Sequence, residues 1–105
     1  MATLRTSTAA RIARDVQMHR VELLKLARQY GAKDVRLFGS VARGEARRAS
    51  DIDVLVTMER GRTLTDMAAL KRTFTKTLRR HVDVVSTSGM SPYLRTRILK
   101  EAQPL

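Results

Sequence analysis

Gly39-Ser40-Val41-Ala42-Arg43-Gly44-Glu45-Ala46-Arg47-Arg48-Ala49-Ser50-Asp51-Ile52-Asp53 joins a glycine-serine turn to two carboxylates spaced two apart. Val35-Arg36-Leu37-Phe38 runs into the turn and Val54-Leu55-Val56 carries the acidic end onward, so the stretch is slung between two strands. On a strand, residues i and i+2 share a face about 6.5–7 Å apart along the backbone. Asp51, Asp53 and Leu55 therefore share one face, and Ile52, Val54 and Val56 the other, which is expected to meet the core. A pair of aspartates so placed suits divalent cations. Mg²⁺ takes carboxylate oxygens together with substrate phosphates, and paired ions lie roughly 3.5–4 Å apart. Gly39 and Ser40 suit the phosphates themselves, because glycine admits close backbone approach and the serine hydroxyl and adjacent N–H groups donate to phosphate oxygens. Arg43 is a further candidate for a triphosphate.

Outward from this stretch the chain reads as helices around short strands. Residues 1–8 have no apolar period and are expected to be a loose tail before a domain over 9–105. Ile12, Val16, His19, Leu23, Leu26, Ala27 and Tyr30 recur at steps of three and four, predicting one helix over residues 9–30 that ends at Gly31. Residues 35–38 form the first strand. Residues 41–43 are expected to make a single helical turn, and 44–50, lacking apolar spacing, a mobile loop. Residues 51–57 are the second strand. Thr63 with Asp66 forms an acidic variant of the capping box, opening a helix with Leu64, Met67, Leu70, Phe74 and Leu78 on one arc. Residues 82–86 are a third strand. Ser91 followed by Pro92 opens a last helix that Pro104 ends. The order predicts an α/β or α+β domain, a small mixed sheet with helices packed on it.

Asp83 interrupts the otherwise apolar run Val82-Asp83-Val84-Val85, where an unpaired acid is costly. A third carboxylate beside Asp51 and Asp53 completes a metal cage, and Asp83 is the candidate. His19 reads as a satisfied core histidine on the first helix's apolar face, and His81 as a cap at a helix end.

The totals agree with this chemistry. With 105 residues the chain holds one domain, and 21 Lys and Arg against 10 Asp and Glu give a net charge of +11, which attracts nucleotides, nucleic acid or an acidic partner. The absence of cysteine excludes disulfides, thiolate metal sites and a cysteine nucleophile, and fits a reducing cytoplasm. No apolar run approaches the ~18 residues of a membrane span, so a soluble protein is expected. The Arg- and Thr-rich start is interrupted by Asp15 and Glu22, which argues against a targeting peptide. A basic DNA-binding regulator finds no helix-turn-helix here, since Gly39-Ser40 lies between strands.

The run GSVARGE, followed by five residues and then Asp51-Ile52-Asp53, resembles the signature of the DNA polymerase beta-like nucleotidyltransferase superfamily. More narrowly, GSVARGE…SDIDVLV in so short a chain is similar to the minimal nucleotidyltransferases (MNT), antitoxins that act beside HEPN-domain toxins. The resemblance covers about residues 35–86. It implies the polymerase beta-like fold, with Gly39 and Ser40 on nucleotide phosphates, Asp51, Asp53 and Asp83 as ligands of Mg²⁺, and Asp83 also as the base for the attacking hydroxyl. It implies transfer of AMP from ATP to a tyrosine of a cognate HEPN RNase toxin and a hetero-oligomer with that toxin; separately, the basic runs at Arg47-Arg48, Lys71-Arg72 and Arg79-Arg80 are either solvated surface or a basic surface that receives an acidic toxin face, ATP or RNA. The alternatives are a non-catalytic antitoxin that acts by binding only, and nucleotidyl transfer to RNA or a small molecule.

Overall fold

Val, Ile and Leu alternate along two runs, and these pair as the centre of the sheet. β1 (Ala32–Phe38) lies antiparallel to β2 (Ile52–Met58), with Val35 opposite Val56, Leu37 opposite Val54 and Phe38 opposite Asp53. β3 (Val82–Ser86) adds parallel to β2, setting Asp53 beside Asp83 and Leu55 beside Val85. β4 (Gln103–Pro104) pairs with the free edge of β1, giving the order β3-β2-β1-β4. The mixed sheet is as expected, but β1 begins three residues before Val35. β4 departs from the sequence reading, in which Pro104 only ends a helix. An edge strand tolerates proline because its missing N–H faces outward.

The structure, a computed structural model, describes residues 7–105. The tail expected over 1–8 lies outside them except for its last two residues. Ser7 caps α1 (Thr8–Met18), its side chain accepting the Ala10 N–H at 3.1 Å, and Thr8 opens the helix. The helix expected over 9–30 is two helices, α1 and α2 (Arg20–Gln29), parted at His19. There the backbone leaves helical geometry at φ −99°, ψ 8°, and the His19 Nδ1 lies 2.8 Å from the Asp15 carbonyl oxygen. Ala9, Ile12 and Val16 before the break and Leu23 and Ala27 after it all reach the core. A bend that keeps both stripes buried leaves the periodicity intact, so the pattern alone does not reveal it. His19 is partly exposed at the junction rather than a core histidine.

α1, α2 and α4 (Leu64–Leu78) supply the helical side of the core. Leu23, Leu70, Phe74, Val16, Ile52, Val54, Val56 and Val82 are each at most 1% exposed, and each such burial contributes about 1.5–3 kcal/mol before the entropy of ordering is counted. The second sheet face carries Asp53, Leu55, Asp83 and Val85. Leu55 is buried there as well, because the 3₁₀ turn Thr87–Gly89 packs against β2; α5 (Pro92–Glu101) follows that turn. Leu94 and Ile98 of α5 line an apolar cleft of about 520 Å³ with Phe38, Val85 and Met90. Among the described residues no helix is long and apolar enough to cross a membrane.

The capping box forms as read, the Asp66 carboxylate accepting the Thr63 N–H at 3.1 Å. Asp66→Ala should therefore lower the unfolding free energy by about 1 kcal/mol. The measurement is a urea melt, in which the midpoint falls and the slope stays constant.

Candidate active site

The turn after β1 uses a conformation and a closeness that select glycine. Gly39 has φ +77°, and a Cβ at this position would overlap the Asp53 carboxylate. Phe38 and Asp53 are directly opposed across β1 and β2, so the chain leaving Phe38 turns over Asp53 itself. The turn continues as α3 (Gly39–Ala42), one turn of helix starting two residues earlier than expected and seated through buried Val41. The leading N–H groups of such a turn have no intrahelical acceptor. Strand register therefore sets the N–H groups of this turn next to a carboxylate.

The loop over 44–50 is pinned rather than mobile. Ala46 is buried, the Glu45 N–H donates to the Ser40 carbonyl at 2.8 Å, and the Arg47 N–H donates to Ser50 Oγ at 2.8 Å. From the end of α4, Arg80 Nη1 donates to the carbonyls of Arg48 at 2.7 Å and Ser50 at 3.0 Å. A tie reaching across 30 residues has no local signature.

Parallel pairing of β2 with β3 places Asp83 beside Asp53, and Asp51 lies just ahead of β2. All three predicted acids thus converge at one end of the second sheet face. His81 joins them: its Nδ1 is 3.3 Å from Asp51 Oδ2 and 3.9 Å from Asp83 Oδ1. Asp51, His81 and Asp83 each offer one ligand atom, all within 4.8 Å of one another. The Ile52 N–H donates to the His81 carbonyl at 3.0 Å, fixing this histidine relative to Asp51. Lys71 Nζ stands 3.7 Å from Asp83 Oδ1. The helix-end reading of His81 missed its place here, although continuing the period-two alternation back from Asp83 puts residue 81 on the same face.

Asp53 is half-buried, and burial pushes its carboxyl above the ordinary value, with the charges of Asp83, Asp51 and Glu101 adding to the rise and Arg43 opposing it. Carboxylates that oppose one another's ionisation are what a divalent cation relieves. Asp51, Asp83 and the His81 imidazole form a donor set suited to such an ion, with Asp53 beside Asp83 on the adjoining strand.

Arg43 is near this site but is not turned freely toward it. Its Nη1 donates to Glu101 Oε2 of α5 at 2.9 Å and its Nε to Glu45 Oε2 at 3.1 Å. Both bonds raise its pKa further. A larger cleft, about 660 Å³, lies among α1, α2 and α4 and is lined by Asp15, His19, Glu22, Lys76 and Arg79. It contains none of the predicted site residues, and the acids sit instead on an open rim.

A glycine turn thus stands over a strand aspartate, with a second aspartate two residues away and a third on the neighbouring parallel strand. Residues 21–105 match the nucleotidyltransferase domain family, and the chain belongs to it. Within that class its fold is that of a minimal nucleotidyltransferase: a solved structure assigned by inference as one is 50% identical, with TM-score 0.80 over 86% of this chain and 92% of that chain. A Methanocaldococcus jannaschii protein assigned by inference as a protein adenylyltransferase is 37% identical over 81 residues, 77% of this chain and 87% of that protein. The protein adenylyltransferase MntA of Thermococcus cleftensis is 31% identical over 77 residues, 73% and 78% of the respective lengths. A chain from the complex of tri-AMPylated Shewanella oneidensis HEPN toxin with MNT antitoxin shares the fold at 21% identity, with TM-score 0.64 over 84% of this chain and 69% of that chain.

Proposed function

We propose that this protein transfers AMP from ATP to a tyrosine of a cognate HEPN-type RNase toxin and thereby neutralises it, acting in the cytoplasm as a hetero-oligomer with that toxin. Asp53 beneath the Gly39 turn, next to Asp83 on the neighbouring strand and with Asp51 close to Asp83, carries the reading, because it joins a turn suited to phosphate to a group of acids suited to a cation. The relatives named as protein adenylyltransferases and the HEPN–MNT complex supply the acceptor class.

In this reading Gly39 and Ser40 hold the ATP phosphates through backbone N–H groups and the serine hydroxyl. Asp51, Asp53 and Asp83 would hold Mg²⁺, two ions in the full complement. Bound Mg²⁺ supplies positive charge that offsets the charge developing on the phosphates. Asp83 takes the proton of the tyrosine hydroxyl as its oxygen bonds to the α-phosphorus, and the bond from that phosphorus to the α,β-bridging oxygen breaks to release pyrophosphate. The partner presents the tyrosine, and the basic surface of this chain remains available to its RNA.

Arg43 would leave Glu101 for the triphosphate, exchanging one anion for a more highly charged one. Arg43→Ala is then expected to raise the KM for ATP by about tenfold, the size of one charge-assisted contact, with little change in kcat. Steady-state kinetics across ATP concentrations read this directly.

The deciding experiment incubates the protein with α-labelled ATP, Mg²⁺ and the HEPN protein of a neighbouring gene. Label should appear on the toxin, disappear when its tyrosine is replaced, and fail to appear with Asp51→Ala. Neutralisation that survives Asp51→Ala without label would show binding alone. Label on RNA or a small molecule instead of the toxin would overturn the acceptor.

A further inference from the structure

The pattern that brings Asp83 beside Asp53 also brings His81 beside Asp51, since residues 81 and 83 alternate onto one face around buried Val82. Its ring nitrogen approaches two carboxylates, at 3.3 Å and 3.9 Å, while its carbonyl is tied to the Ile52 N–H at 3.0 Å. The side chains of Asp51, His81 and Asp83 are 46%, 51% and 42% exposed, so an ion has open access to all of them. One N–H points at a single acceptor, whereas one cation among the three groups satisfies every lone pair facing the gap. The main-chain tie fixes the backbone from which the imidazole projects, at a place where carboxylates alone would leave an all-oxygen site.

We infer that His81 is itself a ligand of this metal site, giving it a mixed nitrogen and oxygen donor set that tightens binding of Mn²⁺, Co²⁺ or Zn²⁺ relative to Mg²⁺. Imidazole suits these borderline cations, and Mg²⁺ is served by oxygen donors. The inference rests on the reading that the aspartates hold a divalent cation. It adds a residue and a metal preference to that reading.

The test loads the full chain with Mn²⁺ alone and records electron spin echo modulation. Wild type should show the nitrogen coupling of a directly bound imidazole, and His19→Ala should keep it. His81→Ala should lose the coupling and bind Mn²⁺ at least about tenfold more weakly, while Mg²⁺ affinity, read by competition, falls less than about twofold. His81→Gln retains a hydrogen-bond donor toward Asp51 and should also lose the coupling, which separates ligation from positioning. Mn²⁺ bound to wild type without nitrogen coupling, yet lost from Asp51→Asn and Asp53→Asn, would overturn the assignment of His81 alone. Mn²⁺ affinity unchanged in those two aspartate variants would overturn the carboxylate site as well.

Discussion

Asp53→Asn should reduce AMP transfer by about a thousandfold, ~4 kcal/mol of lost transition-state stabilisation, while the protein stays folded and melts at the same temperature or higher. The two halves of this result come from one feature. Asp53 is half-buried between Asp51 and Asp83, and its carboxyl is pushed above its ordinary value. The folded state therefore holds this proton more readily than the unfolded chain. At neutral pH its ionisation opposes folding, and the opposition fades as pH falls through the raised value. Asparagine removes that opposition with almost no change in volume. It also removes a charge from the cation site, where the developing phosphate charge is to be balanced. Calorimetry of the metal-free protein beside a single-turnover assay checks both: a destabilised variant would mean that Asp53 holds the fold through bonds other than those described, and a retained rate would remove it from the reaction. In wild type, Mg²⁺ with an ATP analogue should raise the melting temperature, because a ligand bound only by the folded state stabilises it.

The same residue shows why so much of this site is legible in the chain. Asp51, Asp53 and the Gly39 turn lie within 15 residues of one another, and strand alternation fixes which way the acids point. Asp83 is legible because an acid between valines needs a reason. Contacts that close the site from a distance leave no such pattern. Arg80 pins the loop through carbonyls, which every residue possesses, and Arg43 pairs with Glu101 across 58 positions in a chain rich in arginine. Leu55 shares the aspartates' face by alternation but is buried where the 3₁₀ turn packs against β2, so a face that reads as half polar is polar only at one end. The bend at His19 and the short β4 strand are settled by packing after the sheet exists. Local chemistry thus records the candidate acids and the glycine turn, and long-range packing decides how firmly they are held.

Gly39→Ala tests the place where those two levels meet. The substitution adds one methyl group, yet it should cost about 2–3 kcal/mol of stability and about a hundredfold in AMP transfer. Part of the stability cost is the left-handed backbone at φ +77°, and the rest comes from the overlap of the new Cβ with the Asp53 carboxylate. Gly61 separates the two contributions. It has φ +83° with nothing within 4 Å of a built Cβ, so Gly61→Ala should cost only the backbone part, about 1 kcal/mol, and leave transfer unchanged. In a double-mutant cycle, Asp53→Ala should relieve part of the Gly39→Ala penalty, giving a coupling of about 1 kcal/mol that distant pairs do not show. Equal costs at Gly39 and Gly61, with additive behaviour toward Asp53, would mean that the turn yields without disturbing the acid. The large activity loss follows from geometry: relieving the overlap moves either the phosphate donors or the carboxylate, and displacement of about 1 Å is enough to uncouple them.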